Sequence, residues 1–221
     1  MARRGRAALT GTLPAPGAGI VLAGGRSRRM GLDKATLRLG AESLLARVVR
    51  RLAMVCRPVV VVAAHAGPHL DCPAPIVPDR WPGAGPLGGL ATGLRALAGP
   101  GGHETARVVL VGVDMPFVVP ALLEYLLTRT PAWDAVVPLV RGQAQPLCAV
   151  YGTPVAATAE ELLRQGRQAM HDLLAAPGLR VAYVPEGVLR AYDPDLRSFF
   201  NVNTPEDLVR AQELAAAETD A

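Results

Sequence analysis

The sequence has very little lysine, asparagine or aromatic side chain, and no long apolar run. Of its 23 basic residues, 22 are arginines and one is a lysine, Lys34. Because the chain otherwise supplies its positive charge with arginine, we expect the segment around Lys34 to be functional. Asparagine is also scarce, since Asn201 and Asn203 are the only two in the chain.

The scarcity of aromatic residues, 4% of the chain, argues against a nucleic-acid partner. A nucleic-acid-binding domain is expected to carry a basic stripe and aromatic side chains on which bases stack. Much of the formal net charge of +4 comes from Arg3, Arg4 and Arg6, in a segment without acidic residues. Without these three arginines the net charge is +1, so we predict no binding to nucleic acid.

The three cysteines, Cys56, Cys72 and Cys148, are odd in number and far apart, with no Cys-x-x-Cys pair. This pattern predicts a reduced, cytoplasmic protein rather than a disulfide framework. The densest apolar run, at 59–64, has six residues, whereas a helix that crosses a bilayer needs about 18. The sequence therefore predicts no membrane association.

The periodicity of the apolar residues predicts a single domain over residues 18–214. Strands are predicted at 20–23, 59–64 and 108–113, and they alternate with helices at 42–55, 87–97 and 120–128. This order is typical of a three-layer α/β/α fold with a mainly parallel sheet. Residues 1–17 are expected to form a flexible extension, and residues 215–221 the frayed end of the last helix.

After residue 130 the pattern changes. Strands predicted at 135–139 and 146–151 are separated by the turn-forming Arg141-Gly142-Gln143. They indicate a hairpin inserted into or beside the main sheet. Short helices at 160–165 and 169–174 and a strand at 181–184 follow. Thr204-Pro205-Glu206-Asp207 is predicted to open the last helix, because threonine caps a helix, proline suits its first turn and acids favour its positive end.

The segment from Gly24 to Lys34 follows the first strand and is rich in glycine and cations. Glycine lets backbone N–H groups approach phosphate oxygens closely, and arginine and lysine offset the remaining negative charge. Because ligands of open α/β sheets bind beyond the carboxyl ends of the strands, we expect a phosphate site here. The segment matches neither the P-loop nor the Gly-x-Gly-x-x-Gly pattern, and a solvated basic loop is the alternative interpretation.

Two aspartates are expected at the same edge of the sheet. Asp114 follows the third strand, where a carboxylate opposite a phosphate loop is a suitable ligand for Mg²⁺. The alternative is a helix cap or a turn residue. Asp79 precedes four closely spaced glycines, Gly83, Gly85, Gly88 and Gly89. Their density suits a backbone wrapped around a flat base, and an ordinary loop is the alternative.

Five motifs follow one another along the chain. They are Leu22-Ala23-Gly24-Gly25-x-Ser27-x-Arg29-Met30-Gly31-x-Asp33-Lys34, Gly85-Pro86-Leu87-x-Gly89-Leu90, Asp114-Met115-Pro116, Gln145-Pro146-Leu147 and Phe200-Asn201-Val202-Asn203-Thr204-Pro205-Glu206-Asp207-Leu208. The series resembles the signature of the molybdenum cofactor guanylyltransferases, within the nucleotidyltransferase superfamily. It extends from Gly19 to Leu208 and implies the Rossmann-like fold of that superfamily.

The resemblance implies a reaction in which GTP and a molybdopterin phosphate give a guanine dinucleotide and pyrophosphate, with Mg²⁺ as cofactor. Lys34, Asp114 and Arg29 would be the catalytic residues, acting on the phosphates, on the nucleotide and metal, and on the pyrophosphate. The nucleotide would also contact Leu22, Ala23, Gly24, Gly25, Asp79 and Gly85. Related cytidylyltransferases have Ala-Ala-Gly at Ala23-Gly24-Gly25, and the missing methyl group at Gly24 leaves room for a purine edge.

On the acceptor side, Gln145, Arg167, Asn201 and Asn203 would bind molybdopterin or Mo-molybdopterin, with Arg141 as a further candidate. Asn203, or its neighbour Asn201, would alternatively complete the metal site. Each is also compatible with a surface or turn-shaping role. Apo-molybdoenzymes are a further candidate partner. Three alternative functions remain: a cytidylyltransferase, a guanylyltransferase for another phosphorylated acceptor, and a non-catalytic adaptor that binds the nucleotide or the cofactor.

Overall fold

The computed structural model describes residues 17–23, 34–64, 72–98, 107–129 and 132–219 of the 221-residue chain. The strands in these residues are β1 (Gly17–Leu22), β2 (Arg38–Leu39), β3 (Glu42–Ser43), β4 (Cys56–Ala63), β5 (Ile76–Pro78), β6 (Arg107–Gly112), β7 (Ala135–Val140), β8 (Gln143–Ala144), β9 (Cys148–Gly152) and β10 (Val181–Val184). The α-helices are α1 (Leu44–Leu52), α2 (Gly85–Ala98), α3 (Pro120–Arg129), α4 (Val155–Arg164), α5 (Met170–Leu174), α6 (Glu186–Leu189) and α7 (Pro205–Thr219).

The main sheet has the strand order β10-β7-β9-β6-β1-β4-β5, with β8 paired to β7. Strand β1 is an interior strand and pairs in parallel with β4 and β6. Strand β9 is antiparallel to both of its neighbours, β6 and β7. Strands β2 and β3 form a separate two-stranded sheet. The predicted mainly parallel sheet is therefore confirmed, with one reversed strand inside it.

Apolar side chains pack on both faces of this sheet. On one face, the buried leucines of α1 and α3 and Ala211 of α7 share a core with Val21 of β1. On the other face, α2, α4 and α5 pack over Ile20 and Leu22 of the same strand. Alternate residues of a strand point to opposite faces, so β1 is buried on both sides. These two cores confirm the three-layer α/β/α architecture.

The predicted hairpin is present and is built on a tight turn. Strands β7 and β8 pair antiparallel, with Val140 opposite Gln143. The two residues between them, Arg141 and Gly142, have positive φ angles of 50° and 74°, which suits a two-residue hairpin turn. Strand β9 begins at Cys148 rather than at residue 146, because the N–H of Cys148 donates to Gln145 O in a turn.

Some element boundaries differ from the prediction. Helix α1 begins at Leu44, because Glu42 and Ser43 pair with β2 and the Ser43 hydroxyl caps the helix by accepting from Ala46 N. Gly17 belongs to β1 rather than to the predicted extension, whose other residues, 1–16, lie outside the described residues. Helix α7 continues to Thr219, so residues 215–219 are helical rather than frayed. Glu218 is ion-paired to α1, which accounts for the ordered helix end.

No helix in the described part of the chain is long and apolar enough to cross a membrane.

Candidate active site

Lys34 lies at the start of a 3₁₀ turn, just after the glycine- and arginine-rich segment. Its Nζ donates to Asp114 Oδ2 at 3.0 Å and to Asn203 Oδ1 at 2.7 Å. The Lys34 and Asp114 side chains are only 14% and 20% exposed. We call these three residues the lysine cluster. The only lysine of the chain thus lies between a carboxylate and an amide from two distant parts of the sequence.

Asp114 is positioned by the end of β6 and by the segment before α7. Val113 N donates to Leu22 O at 3.0 Å, which joins the carboxyl ends of β6 and β1. Val202 N donates to Asp114 O at 2.9 Å, which brings Asn203 beside the carboxylate. A Cβ at Gly112 would lie 2.5 Å from Asp114 Oδ1. Glycine at this position therefore leaves the space that the carboxylate occupies.

Asn203 is held by the cap of helix α7. Asp207 Oδ2 accepts from the N–H groups of Asn203 (3.0 Å) and Thr204 (2.9 Å), and Asp207 N donates to Thr204 Oγ1 at 3.1 Å. This is a reciprocal capping box. The Asn203 N–H lowers the pKa of Asp207 most, and the Lys34 charge acts in the same direction. The spacing Thr204-x-x-Asp207 predicts the cap, but the bond to Asn203 was not foreseen.

Asp79 lies at the end of β5, where its N–H donates to Ala63 O of β4. Its Oδ1 accepts from Trp81 N at 3.0 Å and from Thr92 Oγ1 at 2.9 Å. Thr92, on α2, was not singled out from the sequence. The carboxylate therefore fixes the turn before α2, and its predicted contact with the nucleoside stays a prediction.

The four glycines after Asp79 have two different roles. Gly83 and Gly85 have φ angles of +85° and +64°, so they allow the turn into α2. Gly88 and Gly89 lie inside α2 rather than in a loop, and their suggested contact with a base stays a prediction. A Cβ at Gly88 would lie 2.9 Å from Trp81 Cβ, and one at Gly89 would lie 2.7 Å from Leu22 Cδ2. They are required for close packing of α2 on its surroundings.

Leu22 and Ala23 are buried at the end of β1, where Ala23 N donates to Val62 O. They lie beside the lysine cluster through the bond between Leu22 O and Val113 N. Gly24, Gly25 and Arg29 lie outside the described residues, and their predicted roles stay predictions.

The structure places the predicted acceptor residues in different surroundings. Gln145 lies in the turn before β9, and this turn is tied to the site because Gly112 N donates to Leu147 O at 2.9 Å. Asn201 donates to Phe199 O, which indicates a turn-shaping role. Arg167 pairs with Asp172 Oδ1 at 2.6 Å. Among the predicted acceptor residues, the lysine cluster includes only Asn203.

The cluster has the oxygen donors that a hard divalent cation requires. The resemblance to nucleotidyltransferases implies a divalent metal ion as cofactor. Asp114 and Asn203 already direct oxygens at one cation, the Lys34 ammonium. No three acidic, histidine or cysteine side chains of the described residues are grouped to hold a metal by themselves. The residues fit an ion such as Mg²⁺, which is bound through one or two carboxylates, waters and substrate phosphates.

Comparison with known proteins identifies relatives of this chain. A family model described as the MobA-like NTP transferase domain matches residues 19–181. A probable molybdenum cofactor guanylyltransferase of Pelotomaculum thermopropionicum is 39% identical over 197 residues, which cover 89% of this chain and 92% of that protein. One of Chloroflexus aggregans is 40% identical over 204 residues, with coverage of 88% and 92%.

Among solved structures, molybdopterin-guanine dinucleotide biosynthesis protein A from Archaeoglobus fulgidus superimposes with a TM-score of 0.76 at 30% identity, covering 90% of this chain and 99% of that one. The fold, the lysine cluster and these matches define the chain as an enzyme of the nucleotidyltransferase class. Because the family model covers more than half of its residues, the chain belongs to the MobA-like NTP transferase family.

Proposed function

We propose that the protein transfers GMP from GTP to the phosphate of molybdopterin or Mo-molybdopterin and releases pyrophosphate, with Mg²⁺ as cofactor. The observation that carries the proposal is the lysine cluster, in which Lys34 lies 3.0 Å from Asp114 and 2.7 Å from Asn203 at the carboxyl ends of β1 and β6. The relatives named as molybdenum cofactor guanylyltransferases support the choice of substrates.

In the proposed reaction an oxygen of the acceptor phosphate attacks the α-phosphorus of GTP. A new P–O–P bond forms, the bond to the β-phosphate breaks, and its electron pair leaves with pyrophosphate. Both reactants are anions, so the enzyme must offset their charge and hold them in line. Lys34 would move from Asp114 to the phosphates, and Arg29 would bind the pyrophosphate.

Asp114 and Asn203 would hold the metal ion from the protein side, with the phosphates of the nucleotide completing its ligands. A bound Mg²⁺ supplies Lewis acidity and neutralises the developing charge. Departure of the Lys34 ammonium from Asp114 Oδ2 would leave that oxygen for the cation. Leu22, Ala23, Gly24, Gly25, Asp79 and Gly85 would surround the nucleoside.

The second substrate would lie between the lysine cluster and the hairpin. The bond from Gly112 N to Leu147 O supports this position, because it joins the Gln145 turn to the strand that carries Asp114. Gln145 and Arg167 would contact the anionic pterin. Delivery of the finished cofactor to an apo-molybdoenzyme, and a cytoplasmic location, belong to the same proposal.

The test measures pyrophosphate and dinucleotide formation by the purified protein with Mg²⁺ and molybdopterin, with GTP or CTP as donor. We expect a molybdopterin-dependent product with GTP, and its loss in Asp114→Asn. A matched control is Asp195→Asn, because Asp195 is exposed and is ion-paired to Arg197 rather than to the lysine cluster. Product with CTP alone would contradict the guanine assignment. Product with a sugar phosphate but not with molybdopterin would contradict the acceptor, and nucleotide binding without any turnover would indicate an adaptor.

A further inference from the structure

Arg47, on helix α1, is an arginine with almost no exposed surface and an unusually full set of contacts. Arg47 is only 8% exposed. Its Nε donates to Pro116 O at 3.2 Å, its Nη2 is ion-paired with Glu218 Oε2, and its Nη1 lies 3.6 Å from Glu42 Oε2. Its guanidinium carbon lies 5.2 Å from the centre of the Phe117 ring. All three guanidinium nitrogens thus have a partner, and the guanidinium lies over an aromatic ring.

Two of these contacts are made to the segment that follows Asp114. Pro116 is two residues beyond the carboxylate, and Phe117 is the next residue. Arg51, one helical turn after Arg47, donates from Nη1 to Val118 O at 3.2 Å. Helix α1 therefore holds two carbonyl groups of the loop that begins at Asp114. Because Pro116 and Val118 lie two and four residues after Asp114, these hydrogen bonds restrict the position of Asp114.

A third contact is made to the helix that begins beside Asn203. Glu218 lies near the end of α7 and accepts from both Arg47 and Arg51. The 15 residues of this helix span about 22 Å. Its first turn holds Asn203 through Asp207, so the two ends of one rigid element contact the site and Arg47.

An aromatic contact connects the same two segments. The rings of Phe117 and Phe200 meet edge to face with centroids 5.8 Å apart. Phe200 lies three residues before Asn203, and Phe117 three residues after Asp114. Arg47 stacks on the Phe117 side of this pair. Arg47 therefore contacts the segment after Asp114 directly and, through the Phe117 ring, the segment before Asn203.

We propose that Arg47 is a positioning residue that sets the place of the Asp114 carboxylate relative to Asn203, and through them the binding of the metal-bound nucleotide. It acts through the Pro116 carbonyl and through Glu218, and it touches no substrate. The proposal rests on the function proposed above only in assigning Asp114 to the metal and the nucleotide. Lysine cannot replace Arg47, because a single ammonium lacks the planar fork that serves three partners and stacks on a ring.

The test is a double-substitution cycle on nucleotide binding. Calorimetry measures the affinity of the full chain for GTP and for CTP, with and without Mg²⁺, in wild type, Arg47→Lys, Asp114→Asn and the double variant. The quantity of interest is the gain in affinity that Mg²⁺ gives. We expect Arg47→Lys to reduce this gain at least about threefold, and to cause no further reduction when Asp114 is already asparagine. Glu218→Gln is expected to reduce it in the same direction by less.

Arg50→Lys is the matched control, because Arg50 lies on the same helix but is exposed and pairs with Glu42. Thermal midpoints are recorded for every variant. An Arg47→Lys variant with a lower midpoint but an unchanged Mg²⁺ gain would overturn the proposal, since a purely structural role predicts that result. Equal reductions in both backgrounds would also overturn it. A wild-type chain that binds neither nucleotide would instead overturn the proposed function, and the assignment of Arg47 with it.

Discussion

Lys34 Nζ donates a hydrogen bond of 3.0 Å to Asp114 Oδ2, although the two residues are 80 positions apart in the sequence. The pair is only partly buried, so water and ligands have access to it. An ammonium on a flexible stem is able to exchange one anionic partner for another at small geometric cost. The cluster therefore holds Lys34 next to the place where the proposed phosphates would arrive.

Replacement of Lys34 by arginine should lower kcat at least about tenfold, or 1.4 kcal/mol in the barrier. The charge is kept, but a broad planar group replaces a compact one between Asp114 and Asn203. Pyrophosphate release measures the effect. The control is Arg38→Lys, which changes an exposed cation near in sequence. Wild-type kcat in Lys34→Arg would show that charge alone is sufficient at this position.

Gly112→Ala should impair activity far more than stability. The added Cβ would lie 2.5 Å from Asp114 Oδ1, so the carboxylate must move. A displaced catalytic group commonly costs about tenfold to a hundredfold in rate, whereas the free energy of unfolding should change by about 1 kcal/mol or less. Turnover and denaturant unfolding measure the two effects. Gly187→Ala is the control, because its Cβ meets nothing within 4 Å. Equal losses of turnover in Gly112→Ala and Gly187→Ala would contradict the prediction.

Asp207→Asn should lower the thermal midpoint at neutral pH but not in acid. The pKa of Asp207 lies below its usual value of 3.8 because the Asn203 N–H and other donors favour the carboxylate. A lowered folded-state pKa stabilises the fold above the unfolded-state value, and this contribution is lost as pH falls through the folded-state pKa. The difference in midpoint between wild type and variant should thus shrink towards low pH. A constant difference would refute this explanation, and Glu206→Gln tests for a general charge effect.

Thiol titration should find one reactive cysteine in the native protein and three after unfolding. Burial raises the pKa of Cys56 and of Cys148 to about 12, so neither forms a thiolate at pH 8. Cys72 is partly exposed. A chromogenic disulfide reagent, with and without guanidinium, measures the two counts. Rapid reaction of more than one thiol in the native protein would contradict the burial of Cys56 and Cys148.

The order and type of the main elements were predictable because strands and helices carry different apolar periods. The central run of valines in β4 contributes to both cores, and the leucines of α1 and α3 lie in one of them. Boundaries were less predictable where local hydrogen bonds decide them. Glu42 and Ser43 fit a helical pattern, but they pair with β2 and cap α1 instead.

The site was predictable where chemistry and position agree. Lys34 and Asp114 were expected at one edge of the sheet, and the structure brings them into contact. Arg47 was not found, because in sequence it is indistinguishable from Arg50 and Arg51. Only the tertiary contacts with Pro116 and Glu218 separate the buried arginine from its exposed neighbour. Likewise, glycines that permit close packing cannot be told in sequence from glycines that form a turn.

The reversed direction of β9, between β6 and β7, has a consequence for the second substrate. Because β9 runs opposite to β6, the residues that precede it reach the edge where the parallel strands end. Gln145, one of the proposed acceptor residues, thus precedes one strand, whereas the proposed nucleotide residues Leu22, Asp79 and Asp114 lie at or just after the ends of others. Under the proposed function, changes within 141–147 would alter the second substrate and leave the proposed nucleotide residues unchanged.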